Sequence, residues 1–366
     1  MTGRPGILIL ELGGIGDVVM SLPAIEAVLT GCGDRPATIL TVPRTKPIVE
    51  SLRRKGFSNF EAVTTDALEG GGPDGWLRLC RALRKRRFDI VIDLSAVETN
   101  KAAVKRYLFL KMLGAKKTVG RDTDGRGHAF MEKAADTLTS SEHEVERKIK
   151  VASLLGLRYG QAVPKLVTGR DEKEKAYSFL SRRANGGGLL AGMNPGAYRQ
   201  SRMWPEESFA EILEWLVHDM SAYVVLTGGR GEKGIVESLA RSISHDKVMT
   251  IVDIPLMEFA ALIERLDLFI TNDTGPMHIA AALDVPTVAL FGQTNLRRYH
   301  PCMDDSRYVA IKKDHTLCRR LSFRHPMQEC RRFTCEGKEC MTSIAVAEVK
   351  EAIMKLLSGR KPGTDS

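Results

Sequence analysis

The alternation of short apolar runs with apolar residues at helical spacing constrains this chain more than any other feature. In the first half, residues 7–10, 38–42 and 89–94 predict strands, and residues 77–87 predict a helix. In the second half, strands are predicted at 188–193, 223–227, 248–252, 266–271 and 287–291, and helices at 208–217, 235–243, 257–265 and 277–283. Such alternation is typical of parallel sheets built from βαβ units.

The length of the chain indicates how many domains it forms. A single core stops growing efficiently beyond about 250–300 residues, and this chain has 366 residues with 43% apolar content. Each half begins with a strand that leads into a glycine-rich turn, so we expect an α/β protein of two Rossmann-like domains. The predicted parts are an N-terminal domain at 1–165, a linker at 166–187, a C-terminal domain at 188–343, a helix at 344–357 packing back across the domains, and a disordered tail at 358–366.

Composition excludes several classes of protein. Seven cysteines in a chain of this size do not resemble a small disulfide-bonded scaffold. No apolar stretch approaches 18 residues, and the apolar run at 7–10 meets Glu11 at once. These features predict a cytoplasmic protein with reduced thiols, and nothing in the sequence requires a cofactor.

The charge is strongly positive, at +9 with a pI near 9.2. Basic residues cluster at 78–87, 101–117 and 312–332. Such clusters attract phosphates on nucleic acid, anionic lipid or a charged glycolipid, although a solvated helix face is an equally good interpretation of any one run. Nucleic-acid binding is disfavoured, because no finger, RNP-like or helix-turn-helix motif accompanies the charge.

The strongest local motif is DTGPMH, residues 273–278, which follows a buried-type strand and opens an alanine-rich helix. Gly275 lets the backbone approach a ligand closely, and Pro276 suits the first helical position. The free N–H groups of such a helix start form an anion site that fits a diphosphate. The alternative is an ordinary strand–helix turn capped by Asp273 or Thr274.

A second glycine-rich loop, residues 228–232, follows the strand at 223–227. Its glycines, Gly229 among them, would let a nucleotide come close, and the Glu232 carboxylate could accept hydrogen bonds from both ribose hydroxyls. Glycines of a tight turn without a ligand explain the loop equally well.

The first strand leads into Gly13-Gly14-Ile15-Gly16-Asp17, which resembles a dinucleotide fingerprint with an Asp at the third glycine. A carboxylate there would repel phosphates, so the loop is a poor diphosphate cradle. Asp17 could be a helix N-cap, but Pro23 disrupts regular helical bonding unless the helix restarts or kinks. We therefore favour Asp17 as a general base.

The loop at 194–206 carries two arginines between a strand and a helix. The guanidinium groups of Arg199 and Arg202 could hold phosphate oxygens by paired hydrogen bonds. Exposed loop arginines without a ligand are the alternative.

Together these segments resemble glycosyltransferase family 9, the ADP-heptose:lipopolysaccharide heptosyltransferases. The matching pieces, in chain order, are 13–23 (GGIGDVVMSLP), 93–94, 101–114, 143–147 (HEVER), 194–205 (NPGAYRQSRMWP), 273–292 (DTGPMHIAAALDVPTVALFG) and 318–341. The resemblance implies a GT-B fold, with an acceptor domain and a donor domain facing each other across a cleft. It also implies inverting, metal-independent transfer, most simply of heptose from ADP-heptose to a lipopolysaccharide-core or related glycolipid.

The resemblance also assigns roles to residues. Asp17 would deprotonate the acceptor hydroxyl, and the donor diphosphate would lie against Thr274, Gly275, Pro276, Arg202 and Arg199. Arg202 stands where the family's heptosyltransferases carry a Lys. The nucleoside would contact Glu232, Gly229, Ile254 and Asp273, although Ile254 fits a core position equally well. The acceptor would contact Gly14, Lys101 and Lys105, and His278 is expected to be structural.

Two other functions stay open at this stage. A nucleotide-sugar epimerase or hydrolase of the same fold would need no glycolipid acceptor. A non-catalytic sugar-binding GT-B protein would need no base. The basic patches are also compatible with peripheral contact at the cytoplasmic face of the inner membrane.

The cysteines of the 318–341 segment raise the question of a metal site. Cys318, Cys330, Cys335 and Cys340 are separated by 12, 5 and 5 positions, without a C-x₂-C pair. Such spacing predicts zinc only weakly. We expect no metal, and treat these cysteines as structural.

Overall fold

The structure, a computed structural model, describes residues 6–65, 73–157, 162–181, 188–313 and 338–358. The chain divides into two compact units, Met1–Val167 and Thr168–Ser366. None of the described helices is long and apolar enough to cross a membrane.

The first unit is built on a parallel sheet with helices between its strands. Its strands are β1 (Gly6–Glu11), β2 (Ala37–Thr41), β3 (Phe60–Thr64), β4 (Phe88–Asp93), β5 (Lys117–Thr123) and β6 (Glu132–Asp136), and its helices are α1 (Ile15–Gly31), α2 (Lys46–Glu50), α3 (Pro73–Lys85), α4 (Asn100–Leu113) and α5 (Glu144–Ser153). The strand order is β3-β2-β1-β4-β5-β6, and every pair is parallel. Every residue of β1 and β2 is buried, as expected for central parallel strands.

The second unit repeats this plan. Its strands are β7 (Leu190–Asn194), β8 (Tyr223–Gly228), β9 (Val248–Val252), β10 (Leu268–Asn272), β11 (Thr287–Phe291) and β12 (Tyr308–Lys312), and its helices are α6 (Arg170–Ser181), α7 (Glu206–His218), α8 (Lys233–Ile243), α9 (Leu256–Glu264), α10 (Gly275–Ala282), α11 (Leu296–Tyr299), α12 (Glu339–Thr342) and α13 (Val346–Ser358). The order β12-β11-β10-β7-β8-β9 is that of the first sheet, counted from each unit's own first strand. Two Rossmann-like α/β units are therefore confirmed.

The strands predicted from apolar runs are all present, with ends shifted by two residues or fewer. The sequence patterns missed β3, β5, β6 and β12. Three of these four, β3, β6 and β12, form the edges of their sheets. Edge strands are partly exposed, so their sequences mix polar and apolar residues and lose the continuous apolar pattern.

Two regions bear on the predicted domain limits. The division after Val167 lies two residues beyond the expected end of the first domain. Helix α6 lies within the predicted linker and packs against α9 of the second unit.

Helix α13 packs against α7, β11 and β12, and its apolar side chains join the core of the second unit. Packing of this helix back across both domains stays a prediction, and the predicted tail beyond Ser358 lies outside the described residues.

The HEVER motif fixes α5 in the first unit. The His143 side chain caps the helix by accepting a hydrogen bond from the Val145 N–H. Glu144 pairs with Arg121, and Arg147 pairs with Asp136, all within the buried interior. Since the ion pairs hold α5 against β5 and β6, the motif has a structural explanation.

Candidate active site

In each unit, successive strands are first added towards one edge of the sheet and then towards the other. The loops that carry the candidate site residues lie at the point where this order reverses. In the first unit this point lies between β1 and β4, and in the second between β7 and β10. Ligands of open parallel sheets bind there, beyond the carboxyl ends of the strands. The Asp17 turn follows β1, the arginine loop follows β7, and the DTGPMH motif follows β10.

Asp17 is the third residue of α1, and Gly14 is the N-cap. The Gly14 N–H donates to Asp17 Oδ2 at 2.9 Å, so this carboxylate oxygen caps the helix start. The other oxygen accepts no hydrogen bond from the described residues, and the residue is half-buried. Asp17 therefore has a fixed orientation and a carboxylate oxygen that can take a proton.

Gly13 is required by the close packing of this turn. A Cβ atom at Gly13 would lie 2.4 Å from Asp17 Cβ, which is far inside van der Waals contact. At Gly14 the nearest atom to such a Cβ would be Asp17 Oδ2 at 3.5 Å, which is an ordinary contact. The two glycines thus have different roles, since only Gly13 gives the aspartate room.

The helix that carries Asp17 is continuous, unlike the interrupted helix that the proline suggests. Helix α1 runs through Pro23, which lies in its buried interior. The missing N–H of Pro23 costs one backbone hydrogen bond, but the surrounding apolar packing of α1 keeps the segment helical. The irregular backbone expected from Pro23 is therefore not what holds Asp17 in place.

Glu11, Ser21 and Lys148 lie next to the Asp17 turn, and the sequence patterns did not identify them. The Glu11 carboxylate is buried and accepts hydrogen bonds from Ser21 Oγ, from Lys148 Nζ at 2.8 Å and from the Gly13 N–H at 3.1 Å. Ser21 Oγ also lies 2.8 Å from the Asp17 carbonyl oxygen. Burial raises the pKa of the Glu11 carboxyl, Lys148 lowers it, and the Asp17 charge raises it again. This buried pair supports the Asp17 turn from its inner side.

The predicted acceptor contacts lie at the same edge of the first sheet. Lys101 is in the first turn of α4, which follows β4, and Lys105 is one turn further on. Both side chains are exposed. A further cation was missed: the Arg44 guanidinium, exposed after β2, would lie 3.7 Å from a Cβ atom at Gly14. A positive charge beside the Asp17 turn favours an anionic acceptor.

In the second unit, Thr274 is the N-cap of α10, with Gly275 at the first helical position and Pro276 at the second. The sequence analysis expected Pro276 at the first helical position, whereas it lies at the second. Proline is tolerated there because a residue in the first turn has no N–H···O=C bond within the helix to lose. Thr274 Oγ1 is a buried atom without a hydrogen-bond partner among the described residues. A free hydroxyl and a helix N-terminus together suit an anionic oxygen.

Arg202 is held next to this helix start by Asp273. Arg202 Nη1 donates to Asp273 Oδ2 at 2.9 Å, and Thr294 Oγ1 donates to the same oxygen at 2.6 Å. The Asp273 side chain is 5% exposed, whereas that of Arg202 is 24% exposed. The carboxylate therefore orients the guanidinium, and the rest of the guanidinium can reach a ligand.

Asn272, at the end of β10, fixes the arginine loop to the sheet. Its side-chain amide donates to the carbonyl oxygens of Pro195 at 2.8 Å and Gly196 at 3.2 Å, and its Oδ1 accepts from the Trp204 N–H. Trp204 is buried, and its indole N–H donates to the Ile344 carbonyl. These contacts make the loop a rigid support for Arg202. The sequence patterns did not identify Asn272 either. A polar residue at the end of an apolar run is common where a strand ends, so its position gave no sign of a structural role.

Glu232 occupies the same kind of position in the second unit as Asp17 does in the first. It is the third residue of a 3-10 turn capped by Gly229, and its Oε2 accepts from the Gly229 N–H at 2.7 Å. The carboxylate also lies against Gly196, where a Cβ atom would come within 2.0 Å of Glu232 Oε1. The structure therefore brings Glu232 and the loop after β7 together.

Three further residues considered in the sequence analysis, Arg199, Ile254 and His278, lie in the second unit. Arg199 is half-buried at the start of the 3-10 turn Gln200–Arg202. Ile254 is half-buried between β9 and α9. His278 is buried within α10, as expected for a structural histidine.

The cysteine segment falls largely outside the described residues. Cys318, Cys330 and Cys335 lie there, and Cys340 is buried in α12 within the core of the second unit. Within the part of the chain that the structure describes, no group of three or more His, Cys, Asp or Glu side chains could hold a metal ion.

Known proteins resemble this chain along most of its length. The model of glycosyltransferase family 9 (heptosyltransferase) matches residues 76–325, more than half of the chain. Lipopolysaccharide heptosyltransferase 3 of Escherichia coli (strain K12) is 24% identical over 368 residues, covering 96% of this chain and 97% of that protein.

Two solved structures share the fold. A glycosyl transferase family 9 protein from Veillonella parvula DSM 2008 has a TM-score of 0.77 at 21% identity, covering 98% of this chain and 99% of the other. E. coli ADP-heptose lps heptosyltransferase II has a TM-score of 0.71 at 18% identity, with 96% and 99% coverage. Together with the two Rossmann-like sheets, these likenesses confirm an α/β fold of the GT-B type. The chain belongs to glycosyltransferase family 9, and it is a glycosyltransferase enzyme.

Proposed function

We propose that this glycosyltransferase moves heptose from ADP-heptose onto a lipopolysaccharide-core or related glycolipid, with inversion and without a metal ion, in the cytoplasm. The observation that carries the proposal is the Arg202–Asp273 ion pair beside the start of α10. A fixed guanidinium and the Gly275 N–H at the start of a helix are complementary to a diphosphate leaving group. The name of the E. coli relative of similar fold supports ADP-heptose as the donor.

The chemistry assigned to the donor side follows from these charges. As the bond between the anomeric carbon and the diphosphate oxygen breaks, its electron pair stays on the diphosphate. Arg202, the Thr274 hydroxyl and the Gly275 N–H would stabilise that charge, with Pro276 shaping the first turn. Arg199 would contribute a second cation from the same loop.

On the acceptor side, Asp17 would act as the general base. The Asp17 oxygen that accepts no hydrogen bond from the described residues would take the proton of the acceptor hydroxyl, whose oxygen then forms the new bond at the anomeric carbon. Attack on the face opposite the leaving diphosphate inverts the configuration. Gly14, Lys101 and Lys105 would contact the anionic acceptor, and the exposed lysines suit its phosphate or carboxylate groups.

The nucleoside would bind at the loops after β7 and β8. Glu232 is already oriented by Gly229, and one carboxylate can accept hydrogen bonds from two ribose hydroxyls. Ile254 would contribute an apolar surface for the base. Asp273, also expected near the nucleoside, would act through Arg202, since its Oδ2 is engaged there.

The test is a transfer assay with purified protein, a panel of nucleotide sugars and a heptose-deficient glycolipid acceptor. We expect ADP-heptose to give the fastest transfer, a product of inverted anomeric configuration by NMR, and undiminished turnover after treatment with EDTA. Altered free sugar formed without acceptor would instead favour an epimerase or hydrolase. Absence of any nucleotide-sugar binding by calorimetry would favour a non-catalytic protein.

A further inference from the structure

Strand β4 of the first unit ends in a buried carboxylate that lies against an arginine of α4. Asp93, the last residue of β4, is fully buried, and its Oδ2 lies 2.8 Å from Arg106 Nε. The contact is an ion pair without the alignment of a hydrogen bond. Within the described part of the chain, the Arg106 guanidinium has no hydrogen-bond acceptor, and its side chain is 16% exposed. Because a guanidinium carries five N–H donors, Arg106 has donors available for a ligand.

Ser95, two residues beyond the end of β4, provides a second available donor. Its N–H donates to Asp93 Oδ1 at 3.0 Å, so the same carboxylate fixes this residue. Its hydroxyl oxygen is buried and has no hydrogen-bond partner among the described residues. The residue as a whole is half-buried, so another χ1 rotamer can present the hydroxyl to a ligand. The loop is also held further on, where the Val97 N–H donates to Thr123 Oγ1 at 3.3 Å.

These groups lie at the edge of the sheet that carries the Asp17 turn. Strand β4 is a neighbour of β1, with Asp93 opposite Leu10, and the Leu94 N–H donates to the Leu10 carbonyl at 3.1 Å. Lys148 Nζ, part of the ion pair beneath the Asp17 turn, lies 3.4 Å from the Leu94 carbonyl oxygen. The end of β4 is therefore fixed to the support of the candidate base, where ligands of open parallel sheets bind.

The second unit has the same arrangement at its proposed diphosphate site. Strand β10 occupies the place in its sheet that β4 occupies in the first sheet. Asp273, directly after β10, is buried and pairs with the partly exposed Arg202 at 2.9 Å. The next residue, Thr274, has a buried hydroxyl without a partner among the described residues. A carboxylate, a guanidinium and a hydroxyl thus meet at the same strand end in both units, which indicates an anion site in the first unit as well.

We infer that Arg106 and Ser95, positioned by Asp93, form a subsite for an oxyanion of the acceptor, either a phosphate or a carboxylate. The paired N–H groups of a guanidinium match two oxygens of such a group, and the serine hydroxyl donates a third hydrogen bond. A group bound there holds the acceptor beside the Asp17 turn. The inference rests on the proposed function for the identity of the acceptor, whereas the subsite itself is a statement about binding.

Binding of small probes tests the subsite without any transfer. The full-length protein is saturated with ADP, so that the proposed donor site is filled, and is then titrated in a calorimeter with glucose 6-phosphate or with glucuronate. We expect at least one probe to bind, and the probe that binds identifies the phosphate or the carboxylate as the anion. Ser95→Ala should raise its Kd about tenfold, as expected for a lost hydrogen bond to a charged group. Thermal unfolding should be unchanged, because the hydroxyl bonds no described residue.

Arg106→Lys is the second variant, because it keeps the positive charge beside Asp93 but removes the planar fork of donors. It should raise the Kd of the same probe by about tenfold as well. The matched control is Arg35→Lys, since Arg35 pairs with Asp89 near the opposite end of β4 and is 27% exposed. This control should bind the probe like the wild type.

Transfer kinetics give a second measurement. For an acceptor fragment that carries the recognised anion, Ser95→Ala should raise the KM about tenfold and leave kcat unchanged, because the contact is made equally in the ground state and the transition state. For a fragment that lacks this anion, Ser95→Ala and the wild type should have the same KM.

The inference is overturned if neither probe binds the ADP-saturated wild type, if Ser95→Ala binds both probes as the wild type does, or if Arg35→Lys loses as much affinity as Arg106→Lys. An equal rise in the KM of Ser95→Ala for fragments with and without the anion would also overturn it. Probe binding that depends on Ser95 in a protein that transfers no sugar would reject the proposed function and retain the subsite, so the two failures are distinguishable.

Discussion

Lys148 donates a hydrogen bond to Glu11 across 2.8 Å in the buried interior of the first unit, and Glu11 in turn accepts from the backbone of the turn that carries Asp17. The cation reaches this point from α5, more than a hundred residues further along the chain. The candidate base therefore rests on a buried ion pair that joins β1 to α5.

Replacement of Lys148 by Met should strongly destabilise the protein. It leaves the Glu11 carboxylate buried without its cation, a change that typically costs about 3–5 kcal/mol of unfolding free energy. Urea denaturation monitored by circular dichroism measures the loss. The double variant Lys148→Met/Glu11→Gln removes both charges and should recover part of it; a double variant that is less stable still would contradict the pairing.

The same variant should show a specific pH dependence. Burial and Asp17 raise the pKa of Glu11, and loss of Lys148 removes the main influence that lowers it. A carboxyl whose pKa is raised on folding stabilises the protein below its unfolded pKa, and that contribution is lost as pH rises through the folded pKa. The deficit of Lys148→Met relative to the wild type should therefore grow with rising pH. A deficit that shrinks with rising pH would reverse our assignment.

Asp17→Asn should reduce transfer about 10²–10⁴-fold, the usual contribution of a general base. An amide oxygen can still accept from the Gly14 N–H, so the helix start and donor affinity should be retained. Single-turnover kinetics and calorimetry with ADP-heptose separate the two effects. Asp34→Asn, at an exposed carboxylate of the same unit, is the control. Wild-type turnover in Asp17→Asn would remove Asp17 from the role of base.

Arg202→Ala should weaken donor binding. Hydrogen bonds to a charged group contribute about 1.5–3 kcal/mol, which corresponds to a rise in the Kd for ADP of about 10- to 150-fold. The matched control is Arg230→Ala, in the same unit, because Arg230 also pairs with an aspartate, Asp253, at 2.8 Å but is 88% exposed. Equal effects of the two substitutions on the Kd would show that Arg202 is not a diphosphate ligand.

Gly13→Ala and Gly14→Ala should differ although the glycines are adjacent. The methyl group at Gly13 would meet Asp17 Cβ at 2.4 Å, whereas at Gly14 the nearest contact is 3.5 Å. Overpacking of this kind costs about 1–3 kcal/mol of unfolding free energy. The melting temperature should therefore fall for Gly13→Ala and stay near that of the wild type for Gly14→Ala. Equal melting temperatures would show that the turn is looser than its geometry indicates.

Gly196→Ala should weaken nucleoside binding, because a methyl group there overlaps Glu232 Oε1 and displaces the carboxylate. Gly231→Ala is the matched control, since a Cβ atom at Gly231 meets nothing within 4 Å. Calorimetry with ADP and with ribose 5-phosphate measures the effect. A larger loss of affinity in Gly231→Ala than in Gly196→Ala would argue against Glu232 as the ribose ligand.

Much of the candidate site follows from local sequence. The glycines before Asp17 and the DTGPMH motif are short-range patterns, because a strand, a tight turn and a helix start are set by neighbouring residues. The same holds for most strands, whose apolar runs predict burial. Helix α1 shows the limit of such reasoning, since Pro23 predicts an interruption that the packed core prevents.

Short-range patterns in the amino-acid sequence are enough to predict two Rossmann-like α/β units, the strand–turn–helix segments that carry Asp17 and Thr274, and the family resemblance. The side chains that support these segments become visible only in the folded chain: Lys148 beneath the Asp17 turn, Asp273 against Arg202, and Gly196 beside Glu232. These pairs are separated by 36 to 137 positions in the chain. A local pattern carries no information about such distances, because they depend on the order in which parallel strands assemble and on the burial that this order imposes.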